Sequence, residues 1–462
     1  MGKFYDLYVR FMVFLGAEAP EGYEYLLTKA APPPKKVAPP KPPTKKAEPA
    51  KPVAEKPKPP VVEKPKPPVA EKPKPPVVEK PQPPVVEKPK PPVAEKPQPP
   101  IAEKPKPPVI EKVEPTPRPT YQVDPVFPPI GPLDATRALY VSYEALGQAD
   151  QRQKMFEWLD KTEFNAVVID AKADNSCLSY PSQVPIAKEI GAAQPSVENF
   201  ADIMAELKRR KVYTIARLVM FKDDLFAHNY PEYAVKIKGT KALWRDHENL
   251  SWSDPFLTPV WGYNLQIATE AAQWGFDEIL FDYLRFPTTS QVGEPYFSQE
   301  LTRESRVSAI TGFLSTARGQ LNPFGVKVAM SLAGYACWRK DDMLIGQDIE
   351  RLAQYVDVLC PMLYPSTFNK GIPGYKEAIA HPYEVVCHTA QKAVTRINGF
   401  GCTVRPWIQD FPDYTFDQRV YGKTEIQQQI KGCFDSGSLG FMAWNPQTKY
   451  TAGAYAPVIK SV

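Results

Sequence analysis

Eight short apolar runs alternate with amphipathic stretches over residues 131–462 of this chain, and this rhythm restricts the fold more than any other feature. The runs are 138–141, 166–170, 213–221, 278–286, 326–332, 356–364, 404–409 and 440–444. Apolar runs of this length are typical of strands that are buried on both faces, as in parallel sheets. Eight strands that alternate with helices predict an α/β fold, namely a (β/α)8 barrel.

Several of the intervening stretches show helical periodicity. Residues 197–211, 259–274 and 303–318 each place their apolar residues on one face. The other architecture with this rhythm is an open, doubly wound sheet. The barrel is favoured because no Gly-rich phosphate loop follows the first strand.

A proline-rich segment precedes the eight runs. The chain has 55 prolines, and residues 57–112 form seven uninterrupted octads of the pattern Pro-Lys/Gln-Pro-Pro-Val/Ile-Val/Ala/Ile-Glu-Lys. Because proline fixes φ and lacks a backbone donor, we predict a long, disordered polyproline II spacer, which extends by about 3.1 Å per residue. Its role has three interpretations: a spacer that holds a domain away from an anchor, a linker without a set reach, and a ligand for polyproline-reading domains.

The repeat also carries the charge of the chain. Five octads have a net charge of +1 and the octads with Gln82 and Gln98 have none, so the repeat accounts for the whole net charge of +5. The rest of the chain is close to neutral. No nucleic-acid partner is predicted, since nucleic-acid-binding domains carry a basic surface.

The chain therefore divides into a leader or short amphipathic segment (1–30), an octad-repeat linker (31–130) and the barrel (131–462). The apolar run of the leader is shorter than the roughly 7–15 residues of a signal peptide, and Asp6 precedes it. The spacer predicts a location in the cell envelope or secretion, with contact to the envelope or cell wall through the repeat. A cytoplasmic location stays open because the leader signal is weak.

No cofactor and no metal are predicted. The six cysteines form no CxxC pair and the four histidines show no ligand spacing. Most cysteines are expected to be small buried residues, and a disulfide stays open if the protein is exported.

Polar and aromatic residues gather at the predicted carboxyl ends of the strands, where the chemistry of (β/α)8 barrels is located. They are Asp170, Arg217, Asp223, Asp282, Arg285, Tyr364, Trp407, Gln409, Asp410, Trp444 and Asn445. Lys172 and Asp174 lie just beyond Asp170, and Lys222 and Asp224 flank Asp223. Aromatic rings stack on sugar faces, polar side chains bind sugar hydroxyls, and paired carboxylates cleave glycosidic bonds. The set therefore predicts a carbohydrate site.

Each of these residues also has a structural alternative. Asp170 can serve only to neutralise Arg217 or Lys172. Asp223 or Asp224 can cap a helix, and Asp410 can cap a loop. Tryptophans at strand ends can simply fill the mouth of the barrel. The functional interpretation depends on the convergence of all these residues at one face.

Asp282 is the central candidate. It ends the apolar part of the sequence GFDEILFDYLRFP at 275–287. Burial of a carboxylate costs free energy unless the group is paired or needed for chemistry. We expect Arg285 to keep Asp282 ionised, and Asp282 to face water at the rim of the barrel.

The same stretch resembles the signature of a bacterial family of glycosyl hydrolases. Residues 216–223 (ARLVMFKD), 361–366 (PMLYPS) and 405–411 (RPWIQDF) are similar to the third, sixth and seventh strands of that family. The resemblance covers nearly all of residues 134–455. It implies a barrel related to those of amylases and chitinases, with Asp282 at the position of the nucleophile of amylase-like relatives.

Two positions depart from these patterns. Leu284 stands where the chitinase-type pattern has a glutamate, which argues against chitinase chemistry. The resemblance implies an acid in the fifth strand, where this chain has Ser331 and no carboxylate. If that acid is the proton donor of the family, this chain binds sugar without cutting it.

The sequence thus predicts a monomeric glycoside hydrolase that acts on an envelope or extracellular polysaccharide. Asp282 is the predicted nucleophile or stabilising carboxylate, and Asp410, Asp223 and Asp170 are the candidate proton donors in that order. The alternative is a non-catalytic carbohydrate-binding or envelope scaffold protein on a proline spacer. An intracellular barrel isomerase or aldolase with Lys172 as Schiff-base lysine is disfavoured, because no phosphate-binding glycine loop is present.

Overall fold

The computed structural model describes residues 135–194, 197–287 and 293–457. The leader predicted for residues 1–30 and the spacer predicted for residues 31–130 lie outside these ranges.

Within the described residues, eight parallel strands close into a barrel, which confirms the predicted fold. The strands are β1 Thr136–Val141, β2 Ala166–Lys172, β3 Tyr213–Val219, β4 Glu278–Asp282, β5 Lys327–Ala333, β6 Val358–Met362, β7 in two segments (Thr403–Val404 and Trp407–Gln409) and β8 Gly440–Trp444. Each strand pairs with the next along the chain, and β8 pairs with β1 from Thr136 opposite Gly440. All eight predicted strands are present.

Helices follow the strands and cover the outside of the barrel. They are α1 Tyr143–Gly147, α2 Ala149–Lys161, α3 Pro185–Glu189, α4 Phe200–Arg209, α5 Asp224–Asn229, α6 Thr258–Gln273, α7 Arg303–Leu321, α8 Ile349–Leu352, α9 Pro382–Arg396 and α10 Lys423–Asp435. Single 3₁₀ turns occur at Pro231–Tyr233, Asn322–Phe324, Gly334–Cys337, Pro365–Thr367 and Ala378–Ala380. The helices predicted at 197–211, 259–274 and 303–318 correspond to α4, α6 and α7.

A long loop between β3 and α6 contains α5 and the short strand Lys236–Ile237. This strand pairs with Pro295–Tyr296 of the β4–α7 loop in an antiparallel ribbon. Both loops follow the carboxyl ends of strands, so the ribbon lies on the face where chemistry is expected.

Strand β4 ends earlier than predicted, at Asp282 instead of residue 286. The chain turns at Tyr283, whose φ of 50° lies in the left-handed region. The apolar pattern continues past the turn because Leu284 and Phe286 are buried. Periodicity reports burial, and here burial continues beyond the strand.

The core has two parts. Inside the barrel, alternate strand residues such as Tyr140, Val168, Leu280 and Met442 pack against one another. A larger apolar layer lies between the barrel and the helices. The apolar face of α4 predicted from the sequence is buried in that layer. Alternation of side chains across the strands thus separates an inner set from an outer set.

An ion pair is also buried inside the barrel. Arg405 of the β7 region contacts Glu278 at the start of β4, and Tyr213 at the start of β3 donates a 3.1 Å hydrogen bond to Glu278. These residues lie toward the amino ends of the strands. The charges are therefore part of the floor of the barrel.

The structure also bears on membrane-spanning helices and on disulfides. Along the described ranges, no helix combines the length and apolar character needed to cross a membrane. All six cysteines lie in these ranges and are free thiols.

Gly440 lies where β8 pairs with β1 and closes the barrel. Its φ is +93°, and a Cβ atom there would overlap the carbonyl group of Thr136 on β1. We expect Gly440→Ala to lower the free energy of unfolding by at least about 2 kcal/mol in urea denaturation. The matched control is Gly319→Ala on the exposed side of α7, where nothing lies within 4 Å of the new methyl group. This control should gain about 0.5–1 kcal/mol, and equal stabilities of the two variants would contradict the prediction.

Candidate active site

One guanidinium group organises the carboxyl end of the barrel interior. Arg217 of β3 is fully buried. Its Nη1 donates to Asp170 Oδ1 at 2.6 Å, and its Nε donates to Asp282 Oδ2 at 2.7 Å. Its Nη1 and Nη2 also donate to Asp174 Oδ2, at 3.2 and 3.3 Å. Three carboxylates thus share one cation, and we call these four residues the Arg217 cluster.

Strand register brings the cluster together. Asp170 on β2 lies directly opposite Arg217 on β3. On the other side Arg217 is opposite Leu280, and Asp282 lies two residues further along β4 on the same face. The register between β2 and β3 shifts between Asp170 and Lys172. This irregularity lies just before the loop that carries Asp174.

Asp282 is held from two sides. Arg217 contacts one carboxylate oxygen, and the backbone N–H of Tyr283 donates to the other at 2.9 Å. The Asp282 side chain is only 10% exposed. The expectation that Asp282 faces open water is therefore wrong, because the ion pair with Arg217 draws its carboxylate into the barrel. The cation in contact with it belongs to β3, whereas the sequence pointed to Arg285.

Asp170 and Asp174 differ in their electrostatic environment. Burial raises the pKa of Asp170 to about 6, and the nearby positive charge of Arg217 opposes this shift only in part. The hydroxyl group of Tyr140 donates to Asp170 Oδ2 at 2.5 Å. Burial also acts to raise the pKa of Asp174, but the charges of Arg217 and Lys222 outweigh it and the pKa is lowered.

Aromatic rings surround the cluster. Tyr140 and Trp444 stack with their centroids 4.0 Å apart, and the Arg217 guanidinium lies 5.1 Å from the Trp444 ring centroid. Trp407 meets Trp444 edge to face at 5.4 Å, and its Nε1 donates to Ser331 Oγ at 3.1 Å. The predicted tryptophans therefore reach the site, and they lie mostly buried in its wall.

Tyr364 belongs to the same region. Burial raises the pKa of its hydroxyl group well above the usual value, and the negative charge of Asp282 adds to this shift. Its ring meets Phe411 edge to face at 5.5 Å.

Asp410 and Asp223 have other partners. Asp410 accepts hydrogen bonds from the N–H and the hydroxyl group of Thr451, at 3.0 and 2.7 Å, and from the Tyr455 hydroxyl group at 2.7 Å. Asp223 caps helix α5 through the N–H of Phe226 and forms a buried 2.5 Å ion pair with Lys172. These contacts match the structural alternatives considered for both residues.

The predicted amide side chains also bind the protein itself. Gln409 Nε2 donates to Ser366 Oγ at 2.8 Å and to the carbonyl oxygen of Phe411 at 3.1 Å. Asn445 Oδ1 accepts from the N–H groups of Gln447 and Lys449. Both amides therefore fix the loops that follow β7 and β8.

Arg285 lies beside aromatic rings. Its guanidinium is 5.0 Å from the ring centroid of Trp252 and 5.4 Å from that of Tyr283. Its Nη1 donates to the carbonyl oxygen of Phe286 at 3.1 Å. Burial lowers the pKa of Arg285 to about 10.

Sequence reasoning missed two contributors to the site, Tyr140 and Glu248. It placed Asp174 and Lys222 just beyond strand ends but did not choose them as site residues. Asp174 and Tyr140 had a signal, since each lies at or just after a predicted strand end. Lys222 Nζ contacts Glu248 Oε2 at 2.7 Å across 26 residues of an irregular loop. No local pattern in the sequence announces that contact.

In the part of the chain that the structure describes, no group of three or more His, Cys, Asp or Glu residues is arranged to hold a metal ion. The Arg217 guanidinium fills the centre of the carboxylate cluster.

The sequence of the chain matches a known protein family. Residues 138–450 match the model of the family described as "Putative glycosyl hydrolase domain". The chain belongs to this family. No curated protein matches it.

Two of the solved structures that are similar to this chain serve as examples. The PgaB (BpsB) glycoside hydrolase domain from Bordetella bronchiseptica is 14% identical, with a TM-score of 0.52 over 68% of this chain and 95% of that chain. A hypothetical protein from Ruminiclostridium thermocellum ATCC 27405 is 35% identical, with a TM-score of 0.37 over 42% of this chain and 96% of that chain. At 14% identity, the first supports the barrel fold alone.

The raised pKa of Asp170 predicts a pH dependence of stability. The folded pKa of about 6 exceeds the unfolded value of about 3.9, so the folded state binds more protons in between and wild-type stability falls as pH rises through this window. Asp170→Asn cannot ionise. Its free energy of unfolding relative to wild type should therefore rise between about pH 4 and 6, by on the order of 3 kcal/mol at most, and then level off.

Asp174→Asn is the matched comparison for urea unfolding at each pH. The pKa of Asp174 is lowered, so its ionised form stabilises the folded state above the unfolded pKa and this contribution is lost toward acid. The two variants should show opposite trends with pH. Parallel trends would contradict the assignment of the two environments.

Proposed function

We propose that this protein is a glycoside hydrolase that cleaves a polysaccharide at the carboxyl end of its barrel. The observation that supports the proposal is the Arg217 cluster: carboxylates from the ends of β2 and β4 and from the β2–α3 loop meet at one guanidinium beside stacked aromatic rings. Glycosidases use a pair of carboxylates that flank the scissile bond, and the chain belongs to a glycosyl hydrolase family.

Asp282 is the proposed nucleophile or stabilising carboxylate. Its negative charge would offset the positive charge that develops on the sugar ring in an oxocarbenium-like transition state. The 2.7 Å contact with Arg217 and the N–H of Tyr283 fix the orientation of the carboxylate. Preorganised charge of this kind stabilises a transition state without reorganisation during the reaction.

Asp170 is the proposed proton donor. Its pKa of about 6 lets it hold a proton at mildly acidic pH, as a general acid must. The sequence analysis preferred Asp410 and Asp223 to Asp170 as proton donor. In the structure Asp410 accepts hydrogen bonds from Thr451 and Tyr455, and Asp223 forms an ion pair with Lys172.

The spacing of these carboxylates suits a glycosidase. Asp170 and Asp282 contact the same guanidinium at 2.6 and 2.7 Å, so the contacting oxygens lie less than about 8 Å apart. Paired carboxylates of glycosidases lie about 5–5.5 Å apart in retaining enzymes and about 6.5–9.5 Å apart in inverting enzymes. The bound is compatible with both outcomes.

An envelope or extracellular polysaccharide is the proposed substrate. The octad repeat supports this location, because a polyproline spacer can hold a catalytic domain at a distance from an anchor. The remainder of the chain is close to neutral, which suits a substrate recognised by ring stacking and hydroxyl contacts.

Carbohydrate binding without cleavage is the second candidate. Two observations favour it: the side chains of Asp170 and Asp282 are little exposed, and β5 presents Ser331, whose hydroxyl group accepts a hydrogen bond from Trp407. In that case the full chain retains an insoluble polysaccharide but releases no new reducing ends.

The deciding experiment incubates the full chain with chitin, chitosan, peptidoglycan glycan strands and starch, and measures new reducing ends and retention on insoluble polymer. We expect wild type to cleave one of these polymers and Asp282→Asn to be at least about 1,000-fold slower. Circular dichroism and thermal unfolding verify that the variant folds. Glu157→Gln, in an exposed ion pair with Lys161 on the outer helix α2, is the control that keeps wild-type activity. Wild-type turnover in Asp282→Asn would remove Asp282 from the mechanism.

The role of Asp170 predicts the alkaline limb of the pH profile. Turnover should fall as pH rises through about 6, because Asp170 loses the proton that it donates to the leaving oxygen. Turnover of the cleaved polymer measured from pH 4 to 8 checks this. Asp170→Asn should lose this limb along with at least about 100-fold in rate, and a limb at the same pH in Asp170→Asn would assign it to another group.

A further inference from the structure

We propose that Asp174 is a third carboxylate of the Arg217 cluster that contacts the substrate, in addition to Asp282 and Asp170, and that Lys222 and Glu248 are positioning residues that hold it. The inference rests on the proposed function and assigns contact with the sugar to a residue outside the strands.

Exposure distinguishes the three carboxylates. The Asp174 side chain is 36% exposed, whereas those of Asp170 and Asp282 are 4% and 10% exposed. A group must reach the ligand to act on it directly. Asp174 is therefore the member of the cluster that a polymer arriving from solvent meets first, with the other two carboxylates behind it.

Two cations fix the position of Asp174. Its Oδ2 accepts from Arg217 at 3.2 Å, and its Oδ1 accepts from Lys222 Nζ at 3.4 Å. Both cations are buried. Together they lower the pKa of Asp174 and keep a partly exposed carboxylate ionised and in one orientation.

Lys222 is held in turn by Glu248. The Lys222 ammonium group lies 2.7 Å from Glu248 Oε2 and 4.6 Å from the ring centroid of Tyr283, the residue that follows Asp282. A buried ammonium group costs free energy unless it is paired. Glu248 supplies that pairing while Lys222 still reaches Asp174.

The loop that carries Glu248 is built around Asp246. Asp246 Oδ1 accepts from the N–H groups of Glu248 and Leu250, and its Oδ2 accepts from Nε1 of Trp252 at 2.9 Å. The loop is therefore fixed where it delivers Glu248 to Lys222. This part of the β3–α6 loop follows the carboxyl end of β3, so it lies on the carboxyl-end face of the barrel.

The second carboxylate oxygen of Glu248 and the pKa of this residue also support a role at the site. Its Oε1 is buried and has no hydrogen-bond partner within the described residues, although His247 Nε2 lies 3.9 Å away. Burial raises the pKa of Glu248 to about 7, the charge of Lys222 opposes the shift, and the charges of Asp246 and Asp174 add to it. When Glu248 holds a proton, Lys222 forms an ion pair with Asp174 alone. When Glu248 is ionised, Lys222 is shared between the carboxylates of Glu248 and Asp174.

The test uses the full chain and the polymer that wild type cleaves. Asp174→Asn should fold, as judged by circular dichroism and thermal unfolding, and lose at least about 100-fold in turnover. Asp174→Glu keeps the charge but displaces it, and should recover part of the activity. Glu157→Gln again serves as the surface control with unchanged activity. Turnover of Asp174→Asn within threefold of wild type would overturn the role of Asp174.

The positioning role has a separate readout. Glu248→Gln removes the carboxyl group that titrates, and Lys222→Met removes the cation that opposes its protonation. Both variants should fold, and their pH profiles should differ from that of wild type between about pH 6 and 8. Profiles that superimpose on wild type over this range would remove Glu248 and Lys222 from the proposal.

The outcomes separate this inference from the proposed function. If wild type cleaves a polymer and Asp174→Asn does so equally well, only the inference fails. If wild type retains a polymer without cleaving it, Asp174→Asn should bind at least tenfold more weakly, and equal binding overturns the inference. A wild type that neither cleaves nor retains any of the polymers removes both.

Discussion

The contact of Arg217 with three carboxylates is the interaction on which the carboxyl end of this barrel depends. A buried guanidinium without partners would cost several kcal/mol, and so would each buried carboxylate. In the Arg217 cluster these groups satisfy one another, although one cation faces three anions. Burial, to which the negative charge of Asp174 adds, explains why Asp170 holds its proton to about pH 6. Asp174 stays ionised because the charges of Arg217 and Lys222 outweigh its burial.

The buried charges inside the barrel lie at two levels along its axis. Glu278 and Arg405 form an ion pair near the amino ends of the strands, and apolar residues such as Leu280 and Val168 fill the layer above them. The Arg217 cluster lies at the carboxyl end, and Asp174 is the one of its three carboxylates whose side chain is 36% exposed. The lower pair stabilises the barrel, and the upper cluster is placed where a ligand can reach it.

The sequence predicted the strands well and the site in part. All eight runs became strands because a strand buried on both faces must be apolar throughout, and that requirement is local. Asp170, Arg217 and Asp282 were placed together because parallel strands bring their carboxyl ends to one edge. Asp410, Asp223, Gln409 and Asn445 met the same criterion, yet their side chains bind nearby loops and helix ends. Position at a strand end does not tell whether a side chain turns toward the axis or toward its own loop.

The sequence by itself determined the order and number of the strands, the closed barrel that they form and the glycosyl hydrolase family of the chain, because periodicity and strand-end motifs are short-range properties. Only the tertiary structure decided which cation pairs with Asp282. Arg285 is three residues away along the chain, but the turn at Tyr283 directs it to Trp252, and register brings Arg217 from the neighbouring strand instead. It also decided that Glu248 holds Lys222, because the folding of an irregular loop around Asp246 leaves no periodic trace in the sequence.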